Sequence, residues 1–470
     1  MVAIEHLVSP SALPPPPPTH PTKSLSVLSW NVLLPNSVDG WWNYKMYSPP
    51  LDASSAHMAE WSHRSSLIRQ RVELINADVV CLQEVSPKSF EEDFAFMADE
   101  LGYDGVELFR RGRFRPATFW RKSTVDLAAP PVHKDRTLLT TFRHVNNNGD
   151  VDEGVNWHVL NCHLQAGKQG GRRVRQVHEG VGAAVKLARR LKEKDPTSPL
   201  LVVCGDFNGG PECGAVRYLE DGSVGPDFLE DGEAVTSKMK KMTLSAPLTD
   251  VPNNQELGRG PAPNTLVVQE LISLMIEEGT DDTPNLSADV LERLERIYYR
   301  YATHSDGAEG TKVMGRSDVE RWLIDINGQV GRGSEFRRAA REMGYVDPPE
   351  PETAGDDGGS DASGGQREQQ RKVEQPRIAL PEDGVLSLEG FCRVYEGELR
   401  EGKFWGIAWD LATMGEALPD KGVFEARYDR MYCSQSVRPT VVLDTLSSMP
   451  CPNKEEPSDH LPIAARFQLN

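Results

Sequence analysis

The stretch "VVCGDFNGGP", residues 202–211, places two polar side chains directly after a run of apolar residues. The apolar run predicts a buried strand, and in an extended chain Asp206 and Asn208 point to one face while Phe207 points to the other. Two polar groups on one face at a strand end can converge on one ligand. The alternative is an Asx-type turn, in which both side chains only cap the strand before the glycines that follow.

Short β-prone runs like this one recur along the chain. They occupy residues 25–30, 78–85, 156–164, 200–207, 438–446 and 461–467. Helical patterns lie between them at 65–77 and 174–194, so strands and helices alternate over residues 23–220. This alternation predicts an α/β or a layered α+β domain.

Polar residues of only four types, Asn, Glu, His and Asp, follow these apolar runs or lie near the end of the chain. They are Asn31, Glu84, His163, Asp206 with Asn208, Asp429, and the pair Asp459 and His460. Each has an ordinary explanation alone, because polar residues normally emerge where strands end. Their repetition with this restricted chemistry instead indicates one site assembled from several strand ends.

The ordered motifs "WN", "LQEV", "CHL", "GDFN", "YDRM" and "SDHLP" resemble those of the endonuclease/exonuclease/phosphatase superfamily of metal-dependent phosphoesterases. The resemblance covers residues 24 to about 250 and 424–470. Within the superfamily, "GDFNGGPECGAVRYL" and "WSHRSSLIRQRVELINADVVCLQEV" are most similar to the branch of deadenylases, nocturnin and angel proteins. The resemblance implies an α+β fold, a four-layer α/β/β/α sandwich of two packed mixed sheets.

The resemblance also implies roles for the polar residues. Glu84 would bind Mg²⁺, with Asn31 beside it and Asp459 contributing, and hard oxygen ligands of this kind suit Mg²⁺ or Mn²⁺. The catalytic set would comprise Asp206 for the attacking water, Asn208 and His163 for the phosphate, His460 for the transition state, and Asp429 to orient that histidine. Because no thiolate or histidine cluster occurs, the sequence does not favour zinc.

The composition predicts four segments. They are a disordered proline-rich lead (1–22), a first catalytic part (23–250), an inserted helical module (251–415) with a disordered polar loop at 348–376, and a second catalytic part (416–470).

The inserted module resembles a degenerate EF-hand pair. With Gly384 as the invariant sixth loop residue, Ala379, Pro381 and Gly390 occupy the first, third and twelfth positions, so the second loop should not bind calcium. In the first loop only Asp306 and Glu309 lie near ligand positions. We therefore expect a structural module or a docking site for a protein partner, without Ca²⁺.

Charge and cysteine usage restrict the class of protein. A net charge of −18 excludes a chain whose whole surface attracts phosphate, so a phosphorylated ligand needs a local site. The seven cysteines show no paired spacing, which predicts reduced thiols and a cytoplasmic or nuclear location. The N-terminus lacks the pattern of a secretory signal, and no apolar run is long enough to span a membrane.

Three functions remain open on the sequence. The resemblance implies a Mg²⁺-dependent 3′-5′ exoribonuclease of the deadenylase kind. The arginine-rich strip 109–122 would suit single-stranded RNA, and a groove lined by Trp41, Trp42, Phe114 and Phe119 would favour RNA over a small ligand. The alternative for the strip is a solvated strand with extended arginines. The second function is a phosphatase acting on a small phosphate compound such as NADPH or a phosphoinositide, and the third is a non-catalytic scaffold.

Overall fold

The computed structural model describes the backbone of residues 4–6 and then residues 24–110, 112–146, 154–236, 241–251, 264–277, 284–306, 310–346, 378–445 and 449–470. The chain divides into two compact units. Unit 1 comprises residues 1–270 and 420–470, and unit 2 comprises residues 271–419. The segments predicted to be disordered, 1–22 and 348–376, lie outside the described residues, apart from the backbone of 4–6.

Thirteen strands form the two large sheets of unit 1. They are β1 (Ile4–His6), β2 (Ser24–Asn31), β3 (Val79–Val85), β4 (Gly105–Leu108), β5 (Arg115–Trp120), β6 (Val125–Lys134), β7 (Thr137–His144), β8 (Trp157–His163), β9 (Leu201–Asp206), β10 (Thr249–Asp250), β11 (Asp429–Cys433), β12 (Val437–Asp444) and β13 (Ile463–Leu469). The first sheet has the order β1-β12-β13-β2-β3-β5-β4, and the second has the order β10-β11-β9-β8-β7-β6. Both are mixed, because β2–β3 and β8–β9 pair in parallel among antiparallel neighbours.

Helices cover the outer faces of both sheets. On the first sheet lie α1 (Trp61–Ile75), α2 (Phe90–Asp93) and α3 (Ala95–Asp99), and on the second lie α4 (Gly170–Arg190) and α5 (Gly214–Glu220).

Alternation along the strands explains the layers. In β3, Val80 and Leu82 join the core under the helices, whereas Val79 and Cys81 join the core between the sheets. In β9, Leu201 and Val203 likewise face helices. This confirms the predicted four-layer α/β/β/α sandwich, with strands and helices within a few residues of the predicted ranges.

One glycine in β9 permits the close approach of two strands at the site. Gly205 has φ +134°, and a Cβ there would lie 1.9 Å from the carbonyl oxygen of Cys162 in β8. A side chain is therefore excluded by both the backbone conformation and the neighbouring strand. Gly205 thus holds Asp206 directly against His163, its partner in the parallel register.

Unit 2 is built from six helices and short two-stranded ribbons among the residues described. The helices are α6 (Ile272–Met275), α7 (Ala288–Tyr301), α8 (Arg316–Asn327), α9 (Gly333–Glu342), α10 (Leu388–Arg400) and α11 (Phe404–Thr413). They pack around one apolar core that includes Trp322, Phe391 and Tyr395. The segments that precede α8 and α10 join through paired hydrogen bonds between Met314 and Leu386, of 3.1 and 2.9 Å.

The EF-hand likeness of unit 2 remains a prediction. The side chain of Asp306 and the whole of Glu309 lie outside the described residues. Asp318, in the first turn of the helix after the first loop, directs its carboxylate to His304 Nδ1 at 2.7 Å and to the backbone N–H of Thr303 at 3.1 Å. The boundaries 251 and 415 drawn from composition also remain a prediction, whereas the compact units divide after residues 270 and 419.

Candidate active site

Four strands of unit 1 end at one place, and each contributes a polar side chain. Asn31 is the last residue of β2, His163 of β8 and Asp206 of β9, and Glu84 lies one residue before the end of β3. The side chains of all four are buried or nearly so. Glu84 has φ +60°, and the register of β3 against β5 shifts there, so a local irregularity of the strand turns its carboxylate toward the site.

The two carboxylates are held around one amide group. Asn31 Nδ2 donates to Glu84 Oε1 at 3.2 Å and to Asp206 Oδ2 at 3.0 Å, while Asn31 Oδ1 accepts from the N–H of Leu33 at 3.1 Å. In this orientation the atom of Asn31 that lies beside the carboxylates is the donor Nδ2, which bridges Glu84 and Asp206. Direct ligation of a cation by Asn31, as the sequence suggested, would require its oxygen instead and remains a prediction.

His163 faces the same two carboxylate oxygens. Its Nε2 lies 3.8 Å from Glu84 Oε1 and 3.7 Å from Asp206 Oδ2, and its Nδ1 lies 2.9 Å from the carbonyl oxygen of Phe114. Because a carbonyl only accepts, Nδ1 carries the hydrogen. Burial and the positive charge of Arg136 lower the pKa of His163 to about 3, so the ring is neutral and Nε2 is an acceptor. The acceptor Nε2 can take a hydrogen bond from a water or a hydroxyl group, whereas an ionised phosphate oxygen has no hydrogen to donate.

Asp206 and Asn208 meet through a turn rather than along an extended strand. The strand ends at Asp206, and Asn208 has φ +47°. The N–H of Asn208 donates to Asp206 Oδ1 at 2.8 Å, and Asn208 Nδ2 donates to Asp206 Oδ2 at 3.1 Å and to the carbonyl of Leu164 at 3.1 Å. Both explanations of "GDFN" therefore apply, because an Asx-type turn orients the acid within the site.

A buried acid–imidazole pair completes the site. His460 Nδ1 lies 2.6 Å from Asp429 Oδ2, and both side chains are almost fully buried. Burial alone would lower the pKa of His460, but the carboxylates of Asp429, Asp459 and Asp206 raise it well above its ordinary value. The ring is therefore an imidazolium whose Nε2–H, 4.0 Å from Asp459 Oδ2, is a charged donor.

The donor set fits a divalent cation that prefers oxygen. Burial and the nearby charge of Asp459 raise the pKa of Glu84, and burial and Asp429 raise that of Asp206 to about 7, although the positive charge of His460 opposes both shifts. Asp206, Asp429 and His460 also place ligand atoms within 4.8 Å of one another. Glu84 and Asp459, which the sequence analysis assigned to the metal, lie outside this group, so their role as metal ligands remains a prediction.

The matching family model covers residues 28–460, and its description is the endonuclease/exonuclease/phosphatase family. The chain belongs to this family. The resemblance drawn from the six motifs is thereby confirmed. The group formed by Asp206, Asp429 and His460 in this family member is able to hold a metal ion.

Curated relatives of this family member include two kinds of phosphodiesterase. The chain is 26% identical over 224 residues to the CCR4-Not complex 3′-5′-exoribonuclease subunit Ccr4 of Schizosaccharomyces pombe, covering 36% of this chain and 32% of that protein. It is 26% identical over 201 residues to 2′,5′-phosphodiesterase 12 of Homo sapiens, covering 37% and 32%. The matched part thus spans about a third of the length of these relatives.

Solved structures similar to this family member include two from the predicted branch. ANGEL2, described as a 2′,3′-cyclic phosphatase and solved with adenosine-2′,3′-vanadate, is 15% identical, with a TM-score of 0.47 and coverage of 95% of this chain and 96% of that one. The human nocturnin catalytic domain, solved with bound sulfate, is 12% identical, with a TM-score of 0.41 and coverage of 95% and 94%.

A buried arginine that sequence reasoning did not single out braces the site of this family member. Arg64 of α1 is 0% exposed. Its Nε donates to the carbonyl of Pro457 at 2.7 Å, and its two terminal nitrogens donate to the carbonyls of Val32, Leu33 and Leu34. Arg64 thus joins the segment after Asn31 to the segment before Asp459. The sequence pattern that could have predicted its burial is its position on the buried face of α1, which comprises residues 64, 68, 72 and 75.

We expect Arg64→Met to lower the free energy of unfolding by about 3 kcal/mol or more, because several buried carbonyls lose their donor. Denaturant titration measures this change. The matched control is Arg69→Met on the same helix, whose side chain is 39% exposed and pairs only with Glu100; we expect this control to remain within about 0.5 kcal/mol of the parent. A loss no larger for Arg64→Met than for the control would contradict the bracing role.

The arginine-rich strip does not form one continuous nucleic-acid surface. Phe119 is 3% exposed and packs against Phe90 at a ring distance of 5.6 Å, so the prediction that it lines a groove for bases is wrong. Arg121 lies over the ring of Tyr103, at 4.2 Å, and therefore supports the fold. Phe114 is partly exposed and touches the site through its carbonyl. Phe119 is buried because β5 is covered on both faces and this residue packs in the core under the helices, which the charge pattern alone did not reveal.

Proposed function

We propose that this chain is a Mg²⁺-dependent phosphodiesterase that hydrolyses RNA from its 3′ end. The observation that carries the proposal is the contact of one amide group with two mostly buried carboxylates, Glu84 and Asp206, together with a ligand atom of His460 within 4.8 Å of one from Asp206. Hydrolysis of a phosphodiester needs both a cation site and a charged donor. Relatives named as a 3′-5′-exoribonuclease and a 2′,5′-phosphodiesterase support this class of substrate.

Each residue has a role that its contacts allow. Bound Mg²⁺ would neutralise charge on the non-bridging oxygens, and Glu84, with Asp459 and Asp206 near it, would hold the ion. Asp206 accepts a proton from the attacking water and is oriented for this by Asn31 and Asn208. His460 donates Nε2–H to the phosphate as charge develops, with Asp429 fixing the orientation of the ring and stabilising its positive charge.

His163 has a separate role in this proposal. Its neutral ring directs the Nε2 lone pair at the space beside Glu84 and Asp206, so it accepts a hydrogen bond from a water or from a sugar hydroxyl of the substrate. Asn208 uses both amide hydrogens internally, so a contact from Asn208 to phosphate would replace its bond to Leu164. These assignments support a site for a ribose phosphate rather than for phosphate alone.

We also propose a cellular location for the chain and a surface for a protein partner. The seven cysteines are free thiols, which supports a reducing compartment, the cytoplasm or the nucleus. Across the part of the chain that the structure describes, no helix is both long and apolar enough to cross a membrane. Unit 2, with a core of its own, provides the candidate surface for a protein partner.

A substrate panel tests the proposed activity. The purified chain with Mg²⁺ is offered a 3′,5′-linked oligoadenylate, a 2′,5′-linked oligoadenylate, NADPH and an inositol polyphosphate, each with and without EDTA. We expect the highest kcat/KM for the 3′,5′-linked RNA and no turnover in EDTA. Preferential release of phosphate from NADPH or from the inositol polyphosphate would instead establish a small-molecule phosphatase.

A further inference from the structure

Two buried side chains of opposite charge lie beside the loop that follows β8. Arg173 is in the first turn of α4, and its Nη2 forms an ion pair with Oε1 of Glu230. Their side chains are 4% and 9% exposed, respectively. Glu230 belongs to the hairpin 229–234, in which it is the strand partner of Glu233. We call Arg173 and Glu230 the clamp, and neither has a part in the roles assigned above.

The arginine of the clamp binds the backbone of the loop between β8 and α4. Its Nη1 donates to the carbonyl of Gln165 at 2.7 Å and to the carbonyl of Gly167 at 2.6 Å. The side-chain oxygen of Gln176, also on α4, accepts from the N–H of Gln165 at 3.0 Å. Because a charged donor forms stronger hydrogen bonds than a neutral one, the two bonds from the guanidinium group hold this loop in one conformation.

The glutamate of the clamp binds the start of α5, which follows the turn that contains Asn208. Glu230 Oε2 accepts from the N–H of Gly214, the first residue of α5, at 2.7 Å. A Cβ added at Gly209 would lie 3.5 Å from Nε of Arg173. The clamp therefore lies directly beside this turn and connects it to the loop after β8.

Two glycines of the sequence "GGRR", residues 170–173, allow the hairpin to approach α4. A Cβ added at Gly170 would lie 2.5 Å from Oε2 of Glu230, and one added at Gly171 would lie 3.0 Å from the carbonyl oxygen of Val235. A larger residue at position 170 would therefore displace the carboxylate of the clamp. By contrast, a Cβ added at Gly182 of the same helix would contact nothing within 4 Å.

The loop held by the clamp contacts the active site through Leu164. The N–H of Leu164 donates to the carbonyl of Asp206 at 2.8 Å, and the carbonyl of Leu164 accepts from Asn208 Nδ2 at 3.1 Å. The N–H of Asn208 in turn donates to Asp206 Oδ1 at 2.8 Å. A displacement of the loop would therefore remove one of the bonds that fix the side chain of Asn208.

We propose that the clamp positions Asn208, and through it the base Asp206, by holding the carbonyl of Leu164 in place. Arg173 and Glu230 are thus positioning residues, because they act through the loop after β8 and not on the substrate. This inference rests on the proposed function, since it uses the role assigned to Asp206. It adds the hairpin that carries Glu230 to the elements on which turnover depends.

The first measurement observes the side chain of Asn208 by NMR and needs no substrate. The full chain is labelled with ¹⁵N-asparagine, and the side-chain amide of Asn208 is assigned by its loss in Asn208→Ala. Nδ2 of Asn208 donates to both Leu164 and Asp206, so its hydrogens should exchange slowly with solvent. We expect exchange to become about tenfold faster or more in Arg173→Met. Unchanged exchange in this variant overturns the inference.

A second variant perturbs the clamp without removing either of its charged groups. Gly170→Ala places a methyl group against the carboxylate of Glu230, whereas Gly182→Ala places one in open space on the same helix. We expect Gly170→Ala to speed the exchange of the Asn208 amide and to lower kcat by about threefold or more, and Gly182→Ala to change neither. Equal results for the two alanine variants would contradict the inference, even if Arg173→Met does not fold.

Kinetics separate positioning from a general loss of stability. With Mg²⁺, kcat and KM are determined for Arg173→Met, Asn208→Ala and the double variant, on the substrate of the panel that the parent chain turns over fastest. We expect kcat of Arg173→Met to fall about tenfold or more with KM nearly unchanged, and no further fall when residue 208 is already alanine. Arg173→Lys, which keeps a charged donor, should recover part of this loss.

The outcomes for the inference and for the proposed function are distinct. Losses of kcat that multiply in the double variant overturn the inference, whichever substrate is hydrolysed. Absence of RNA cleavage contradicts the proposed function alone, because the exchange of the Asn208 amide is measured without substrate.

Discussion

Asp206→Asn is expected to lower kcat/KM for RNA by about 10³-fold or more in Mg²⁺. The carboxylate of Asp206 accepts hydrogen bonds from Asn31 Nδ2 at 3.0 Å, from the N–H of Asn208 at 2.8 Å and from Asn208 Nδ2 at 3.1 Å. An amide in its place cannot take a proton from water, and its own NH₂ would oppose these donors. The change therefore removes both the base and its orientation.

The fold should survive this substitution. Because burial and Asp429 raise the pKa of Asp206 to about 7, its ionised form is unfavourable in the protein without a cation, and a neutral amide relieves that cost. We expect Tm in EDTA to fall by no more than a few degrees and the rise of Tm on adding Mg²⁺ to shrink. The control is Asp221→Asn, whose side chain is 58% exposed at the end of α5. Full activity of Asp206→Asn would refute the assignment of Asp206 as the base.

His460→Gln and Asp429→Asn are expected to lower kcat by about 10²- to 10³-fold each, because both remove the same charged donor. The 2.6 Å contact between Asp429 Oδ2 and His460 Nδ1 joins two almost fully buried side chains. In Asp429→Asn the ring loses the carboxylate that stabilises its positive charge. In His460→Gln the charged Nε2–H itself is lost.

The effects of substituting Asp429 and His460 should not be additive. We expect the double variant to be no worse than His460→Gln alone, since the role of Asp429 passes entirely through the ring. Steady-state kinetics of the four proteins, with kcat and KM determined separately, measure this coupling. Losses that multiply in the double variant would show that Asp429 acts on the substrate by a separate route.

Much of the fold followed from local patterns. Apolar runs marked β2, β3, β8, β9 and β13, because strands that are buried on both faces are continuous in apolar residues. In the first four of these strands the run ends in a polar residue of the site, and in β13 the polar pair Asp459 and His460 precedes it. The grouping of the site residues was also predicted, since Asn31 Nδ2 contacts both Glu84 and Asp206, and His460 places a ligand atom within 4.8 Å of one from Asp206. The roles assigned to these residues remain a prediction.

Other features depend on tertiary geometry that no local pattern encodes. The left-handed backbone of Glu84 arises from an irregularity of β3 against β5. The tautomer of His163 is set by the carbonyl of Phe114, which is 49 residues away in sequence. Arg64 resembles any arginine of an amphipathic helix until the two segments that it joins are folded against it.

The most direct test of the central claim follows the fate of one RNA strand. A 5′-labelled oligoadenylate is incubated with the full chain in Mg²⁺, in EDTA, and with Asp206→Asn in Mg²⁺, and the products are resolved over time. We expect a ladder that shortens one nucleotide at a time from the 3′ end in Mg²⁺ only, and an intact strand in the other two reactions. Intact RNA in Mg²⁺ with folded protein, or equal cleavage in EDTA, would contradict it.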